Sequence, residues 1–320
     1  MSILAIGGWY AYEASGPGGT GNEATIEVTK GESFAAIRSS LAARGVIGSS
    51  FAFRLDALIH GTPNVFPGFY AIPRSSNFAA IRAVLESGPN THPLIVPPGF
   101  TLHEITQRSR TAVSAKFARG VRMLLAEGTV TSPYSPVGSV DLEGLVAPGR
   151  YLITPTTSPT SFVHSMVQRF NGIAQVAGLK PSSSRSGLTA YQLVTVASVV
   201  EKEGYQTRNM PKVATTIFNR LDRSMILQMD STVLYALGQD GGPVTRATLR
   251  HDSPYNTYLH KGLPPTPICV VSSDAINATM HPPAGSWLFF TVIDKTGTEA
   301  FSDTFDEQLA NERLAAARGL

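Results

Sequence analysis

Two carboxylates close an apolar stretch: Leu193-Val194-Thr195-Val196-Ala197-Ser198-Val199-Val200 runs directly into Glu201-Lys202-Glu203. A carboxyl delivered by an apolar helix is poorly solvated, and desolvation raises its pKa toward the range a general acid needs. Residues two apart on a helix point roughly 200° away from each other. Glu201 and Glu203 therefore cannot act together across one bond, as the paired carboxylates of most glycosidases do. One can face a cleft while the other pairs elsewhere, and the helical wheel leaves open which.

The remaining candidate polar residues fall in blocks downstream. Asn219 and Arg220 come first, then Gln228, Asp230, Thr232 and Tyr235, then Tyr255-Asn256-Thr257-Tyr258 before Gly262-Leu263-Pro264-Pro265. Amides, hydroxyls and aromatic rings without a ligand cluster suit carbohydrate recognition, where rings stack on sugars and amides bond hydroxyls. Each also has a structural reading: Asn219 as a helix-end cap, the tyrosines as core, Pro264-Pro265 as a rigid turn.

Other chemistries are excluded by pattern. There is no G-x-S-x-G, P-loop, G-x-G-x-x-G or H-E-x-x-H. The seven histidines are scattered without ligand spacing, and Cys269 is the single cysteine, so neither a metal nor another cofactor is expected. Net charge is +3 with no Lys/Arg block, which argues against nucleic acid as a partner.

In their order and spacing these residues resemble the YceG-like family of endolytic murein transglycosylases. Ala197 to Glu203 (ASVVEKE) is similar to the family signature ASIVEKE, and Phe218-Asn219-Arg220-Leu221 follows at the family interval. Leu227 to Tyr235 resembles LQTDPTVIY, Ser253 to Pro265 resembles YNTY…GLPPxPI, and Leu142-Glu143-Gly144 with Pro148 and Tyr151 resembles LEGxLxPxTY. The resemblance covers most of Thr25 to Ala317. It implies non-hydrolytic cleavage between N-acetylmuramic acid and N-acetylglucosamine, leaving 1,6-anhydro ends and so ending glycan elongation. It also implies a catalytic residue at the first Glu of the signature, Glu201, and the residues expected to bind substrate are Glu203, Asn219, Gln228, Asp230, Thr232, Tyr235, Tyr255, Asn256 and Tyr258. Partners implied are peptidoglycan strands and their synthases, the penicillin-binding proteins. The alternatives are a glycan-binding scaffold that has lost turnover, or a hydrolytic muramidase using Asp230 opposite Glu201. The chain departs from the family at Glu299 and Gln308, where histidines are usual, and at Arg150, where a Thr is usual.

Several elements must position these groups. The apolar helix opens at Thr189 with capping-box spacing to Gln192, and a second helix starts at Pro211 and runs to about Arg223. Ser161–Ala177 reads as a helix, and Ile226–Gln228 and Trp287–Val292 read as short strands. Upstream, Ser33-Phe34-Ala35-Ala36-Ile37-Arg38 recurs as Asn77-Phe78-Ala79-Ala80-Ile81-Arg82, each copy behind a β-prone run (Thr25–Thr29 and Gly68–Ile72). Ile95–Val96 followed by Thr101 and Glu104 is a third strand-to-helix entry with a capping box. Short strand, turn and capped helix are the grammar of LysM-like modules. The expected fold is α+β: LysM-like β–α modules over 25–107, then an α+β catalytic domain over 108–320 whose buried helix carries the catalytic Glu.

Ser15 to Asn22 is linker-like in composition, with the linker taken as 15–24. Before it, Ile3 to Tyr12 is uncharged and ends near a Trp-Tyr pair, a marker of membrane interfaces. Ten residues are too few to span a bilayer, which needs about 20. The expectation is that residues 1–14 are the outer part of a single-pass membrane anchor, with the catalytic region on the extracytoplasmic side.

Overall fold

The computed structural model describes residues 3–16, 23–74, 76–204 and 206–320. Most of the expected linker, 17–22, lies outside the described residues. The chain divides into two units, one formed by 1–94 and 151–157, the other by 95–150 and 158–320. Both mix helices with small two-stranded sheets, so the α+β class holds.

The first unit runs α1 (Ile3–Ala14), β1 (Glu23–Val28), α2 (Phe34–Ala43), α3 (Ser50–His60), β2 (Gly68–Pro73) and α4 (Phe78–Ser87). Both repeat copies are helix starts: Ser33 Oγ accepts from Ala36 N–H at 3.2 Å, and Asn77 Oδ1 from Ala80 N–H at 2.8 Å. The copies do not form separate modules. Their strands pair antiparallel in one sheet, with Ile26 opposite Tyr70. Helix α3, which the sequence reading did not place, supplies Phe53 to the shared core of Ile26, Leu41, Tyr70, Phe78 and Ile81. Full burial of each such side chain contributes about 1.5–3 kcal/mol.

Helix α1 packs on this unit. Trp9 stacks on Phe51 of α3, and the Tyr10 hydroxyl donates to Asp56 Oδ1 at 2.9 Å. The aromatic pair that marks a membrane interface is thus engaged with protein. Among the described residues no helix is long and apolar enough to cross a membrane.

Strands β3 (His92–Val96) and β4 (Gly149–Ile153) are where the chain passes between units. Residues 151–157 return to the first unit, where Thr156 Oγ1 donates to Glu23 Oε2 at 2.7 Å. A boundary at 107/108 would cut α5 (Leu102–Ala112), whose Thr101–Glu104 capping box is formed; the chain changes unit at 94/95 instead.

The second unit continues with α6 (Ala115–Glu127), α7 (Pro159–Val176), the hairpin β5 (Ser184–Arg185) and β6 (Leu188–Thr189), and α8 (Ala190–Glu203). After it come α9 (Met210–Asp222), α10 (Asp230–Ala236), α11 (Ser273–Met280), the antiparallel pair β7 (Phe289–Val292) and β8 (Glu299–Ser302), and α12 (Phe305–Ala317). Helix α8 is the axis of this unit. Its capping box at Thr189 and Gln192 is formed, and every residue from Ala190 to Val200 except Gln192 is buried. The stretch 226–228 is not a strand: Gln228 adopts φ +53°, a left-handed geometry that no ladder accepts.

Gly144 sits at φ +73° beside Glu143, and a Cβ there would overlap the ring of Pro267. Gly144→Ala combines backbone strain with a packing clash and lowers stability by about 2–4 kcal/mol. Gly178→Ala, at φ +82° in open space, pays only the strain, about 1–2 kcal/mol. Parallel urea melts compare the two; equal losses would refute the packing role.

Candidate active site

The three charged residues that end α8 leave it in three directions. Glu201 Oε2 accepts from Ser272 N–H at 2.8 Å, at the start of α11. Lys202 Nζ donates to the carbonyl of Gly99 at 3.2 Å and pairs with Asp240 at 2.5 Å. Glu203 Oε1 accepts from Ser231 N–H at 3.1 Å and from Ser231 Oγ at 2.6 Å, in the first turn of α10. Burial raises the pKa of both glutamates; the Ser272 bonds oppose this at Glu201 and the Ser231 bonds at Glu203. The direction of the shift therefore does not separate the two carboxyls.

Glu203 lines a cavity of about 400 Å³ with Arg220, Gln228, Asp230, Tyr258 and Gln308. Arg220 is buried and braces the walls, donating to the carbonyls of Leu288 and Leu227, each at 2.6 Å. The Tyr258 hydroxyl donates to Asp230 Oδ1 at 2.5 Å. Asp230 adds to the upward push on Glu203, and burial beside Asp230 raises the Tyr258 phenol. Gln308 accepts from Ser302 Oγ at 3.2 Å and donates to Glu312 Oε1 at 3.0 Å. The segments around Gln228 and Tyr258 thus share a cavity with Glu203, while Glu201 accepts from the N-cap residue of α11.

A neighbouring cavity of about 530 Å³ is lined by Glu143, Lys202, Ser231, Tyr235, Ser253 and Tyr255 among others. Ser231 lines it while holding Glu203, so the two cavities adjoin. The Tyr235 and Tyr255 rings lie 4.9 Å apart, and the Tyr235 hydroxyl donates to Glu143 Oε2 at 3.4 Å. Both Glu143 oxygens accept from Leu102 N–H at 3.2 Å, at the start of α5. Tyr255 faces this cavity and Tyr258 the other, because the residues between them are locked. Asn256 is fully buried and donates to the carbonyls of Leu249 and His251, while Thr257 accepts from Met229 N–H through its hydroxyl and from Gln228 N–H through its carbonyl.

Of the expected substrate-binding residues, Glu203, Gln228, Asp230, Tyr235, Tyr255 and Tyr258 line these two cavities. Three others are braces. Thr232 is buried, bonding Met229 O and Thr257. Asn256 is the loop lock, and Asn219 donates to the carbonyls of Gly285 and Trp287 in a separate pocket. Glu143, Ser231 and Lys202 were missing from the expected set. Glu143 stands inside a recognised motif, but its burial beneath Tyr235 comes from a contact 92 positions away. Among the described residues no cluster of metal ligands occurs.

Burial drives the Glu143 carboxyl up to about 8 from an ordinary 4.5, so the folded state binds its proton more tightly than the unfolded chain. The stability it confers is complete below pH 4.5 and is lost as pH rises through about 8. The slope is at most about 1.4 kcal/mol per pH unit. Glu143→Gln flattens that slope in urea melts between those limits; an unchanged slope would place the titration elsewhere.

The profile of the YceG-like family matches residues 26–314. An endolytic murein transglycosylase of Bacillus subtilis is 29% identical, over 95% of this chain and 89% of that protein. One from Streptococcus pneumoniae is 25% identical over 91% of this chain, which spans 59% of that longer relative. The crystal structure of a YceG-like protein from Listeria monocytogenes superposes with a TM-score of 0.59 at 26% identity, covering 90% of this chain and 98% of that one. The family profile spans nearly the whole chain, both units included, and the chain belongs to the YceG-like family.

Proposed function

We propose that the chain is an endolytic murein transglycosylase, and that Glu203 rather than Glu201 is its general acid and base. The observation that carries this is the cavity that Glu203 lines together with Arg220, Gln228, Asp230 and Tyr258. The relatives named endolytic murein transglycosylases supply the substrate class.

One carboxyl suffices for the reaction. Protonated Glu203 donates its proton to the glycosidic oxygen between N-acetylmuramic acid and N-acetylglucosamine. As that C1–O bond breaks, the muramic C6 hydroxyl attacks C1 of the same sugar, and the Glu203 carboxylate takes the hydroxyl proton. The products are a 1,6-anhydro end and a new N-acetylglucosamine 4-hydroxyl, with no water consumed. Ser231 holds Oε1 in place, leaving Oε2 for the proton transfers. Asp230 lines the same cavity, which keeps a hydrolytic muramidase as the second reading: there a water would replace the C6 hydroxyl and leave a reducing end.

The order β1-α2-α3-β2 with one antiparallel sheet supports a LysM-like, N-acetylglucosamine-binding role for the first unit. Action outside the cytoplasmic membrane, attachment through the uncharged segment before Glu13, and work beside the peptidoglycan synthases complete the proposal.

Glu203→Gln keeps the shape and removes the transferable proton, so release of anhydro ends from purified glycan strands falls by about 10²–10⁴-fold. Glu201→Gln retains cleavage and loses only the charge that caps α11, a cost of about 1–2 kcal/mol. Mass spectrometry of the products with thermal melts decides: an inactive Glu201→Gln beside an active Glu203→Gln would restore Glu201. Reducing ends in place of anhydro ends would select the muramidase.

Because the proton donor is the neutral form of Glu203, cleavage falls as pH rises through its elevated pKa. A pH–rate profile with no descending limb on the alkaline side would remove Glu203 from the donor role.

A further inference from the structure

Helices α5 and α6 diverge around a groove of about 630 Å³ whose floor is apolar and whose rim is cationic. Leu102, Ala115, Ala118 and Leu125 form the apolar part, while Arg110, Arg119 and Arg122 stand along the rim. Arg119 and Arg122 are three apart on α6 and so share one face. All three arginines are exposed, and among the described residues no carboxylate lines the groove and no ion pair engages them. Three guanidiniums in one groove without an acid repel each other, and an anion bound among them relieves that repulsion.

The groove shares a lining residue with the site described above. His103 lines both it and the Glu143 cavity, and Ser231 links that cavity to Glu203. A polymer lying along the Glu203 and Glu143 cavities therefore has the arginine groove beside its path. Murein carries, on each muramic acid, a short peptide rich in alanine methyls and free carboxylates. That composition complements an apolar floor between arginines.

We propose that the α5–α6 groove docks the acidic stem peptide of the glycan strand, so that the enzyme distinguishes peptide-bearing strands from stripped ones. The inference rests on the murein reading of the Glu203 site. It assigns Arg110, Arg119 and Arg122 to substrate selection and gives them no part in bond cleavage. Bidentate guanidinium–carboxylate pairs would fix the peptide, and with it the register of the muramic acid relative to Glu203.

The test uses the whole chain carrying Glu203→Gln, which holds strands without cutting them. Its affinity is measured for glycan strands that keep their stem peptides and for the same strands with the peptides removed. Peptide-bearing strands should bind at least about tenfold more tightly, and the advantage should shrink with added salt. Adding Arg119→Glu and Arg122→Glu should erase the advantage, whereas Arg119→Lys with Arg122→Lys should keep part of it. Arg110→Gln alone, which leaves α6 untouched, should weaken it partially. Equal binding of the two strands, or a charge-reversed protein that melts normally and still prefers peptides, overturns the proposal. Digestion of both strands by the unsubstituted chain separates this inference from the enzymatic one. Cleavage without discrimination in binding sinks only the docking site; discrimination in binding without anhydro products sinks only the transglycosylase.

Discussion

A helix buried on nearly every side governs the second unit. Because α8 has no solvent face from Ala190 to Val200 apart from Gln192, its position is set by packing and cannot adjust to suit the charges at its end. Glu201, Lys202 and Glu203 must each find a partner wherever the helix delivers them, since an unpaired charge there is costly. The surrounding chain supplies those partners from three places: the start of α11, the Gly99 carbonyl with Asp240, and the first turn of α10. Each pairing ties down a different loop. The cavity around Glu203 exists because the α10 loop is held against α8 on one side while Arg220 holds the 227 and 288 segments on the other.

Local chemistry was the legible part of this fold. The caps at Ser33, Asn77, Thr101 and Thr189 are local devices, set by residues three apart, and all four form. The apolar run of α8 announces burial without any knowledge of its neighbours. What a wheel of α8 leaves open is which glutamate faces a cavity, since that depends on Ser231 and Ser272, 28 and 71 positions away. The same limit explains Asn219, Thr232 and Asn256. Their side chains look like ligands for a sugar, yet each bonds protein groups, most of them carbonyls of loops that the sequence alone does not bring near. The strand expected at 226–228 fails for a related reason: Gln228 takes a left-handed turn because its N–H is claimed by the carbonyl of Thr257.

The segment Tyr255-Asn256-Thr257-Tyr258 shows how little sequence can serve two cavities. Its buried middle pair makes the rigid part, and the outer tyrosines diverge from it into separate spaces. Precision of this sort is easier to achieve with a locked loop than with two independent ones, because a single set of hydrogen bonds places both rings.

The first unit is assembled from two separated stretches of chain, and this bears on how the protein comes to be made. Residues 151–157 belong with 1–94, and Thr156 bonds Glu23 across 133 positions. On a ribosome the N-terminal strands and helices emerge long before that last segment does, and α5 and α6 appear in between. The first unit thus cannot reach its final contacts as a nascent N-terminal domain. It must wait, partly finished, until material belonging to the second unit has already left the exit tunnel, which makes the two units interdependent in time even though each has its own core.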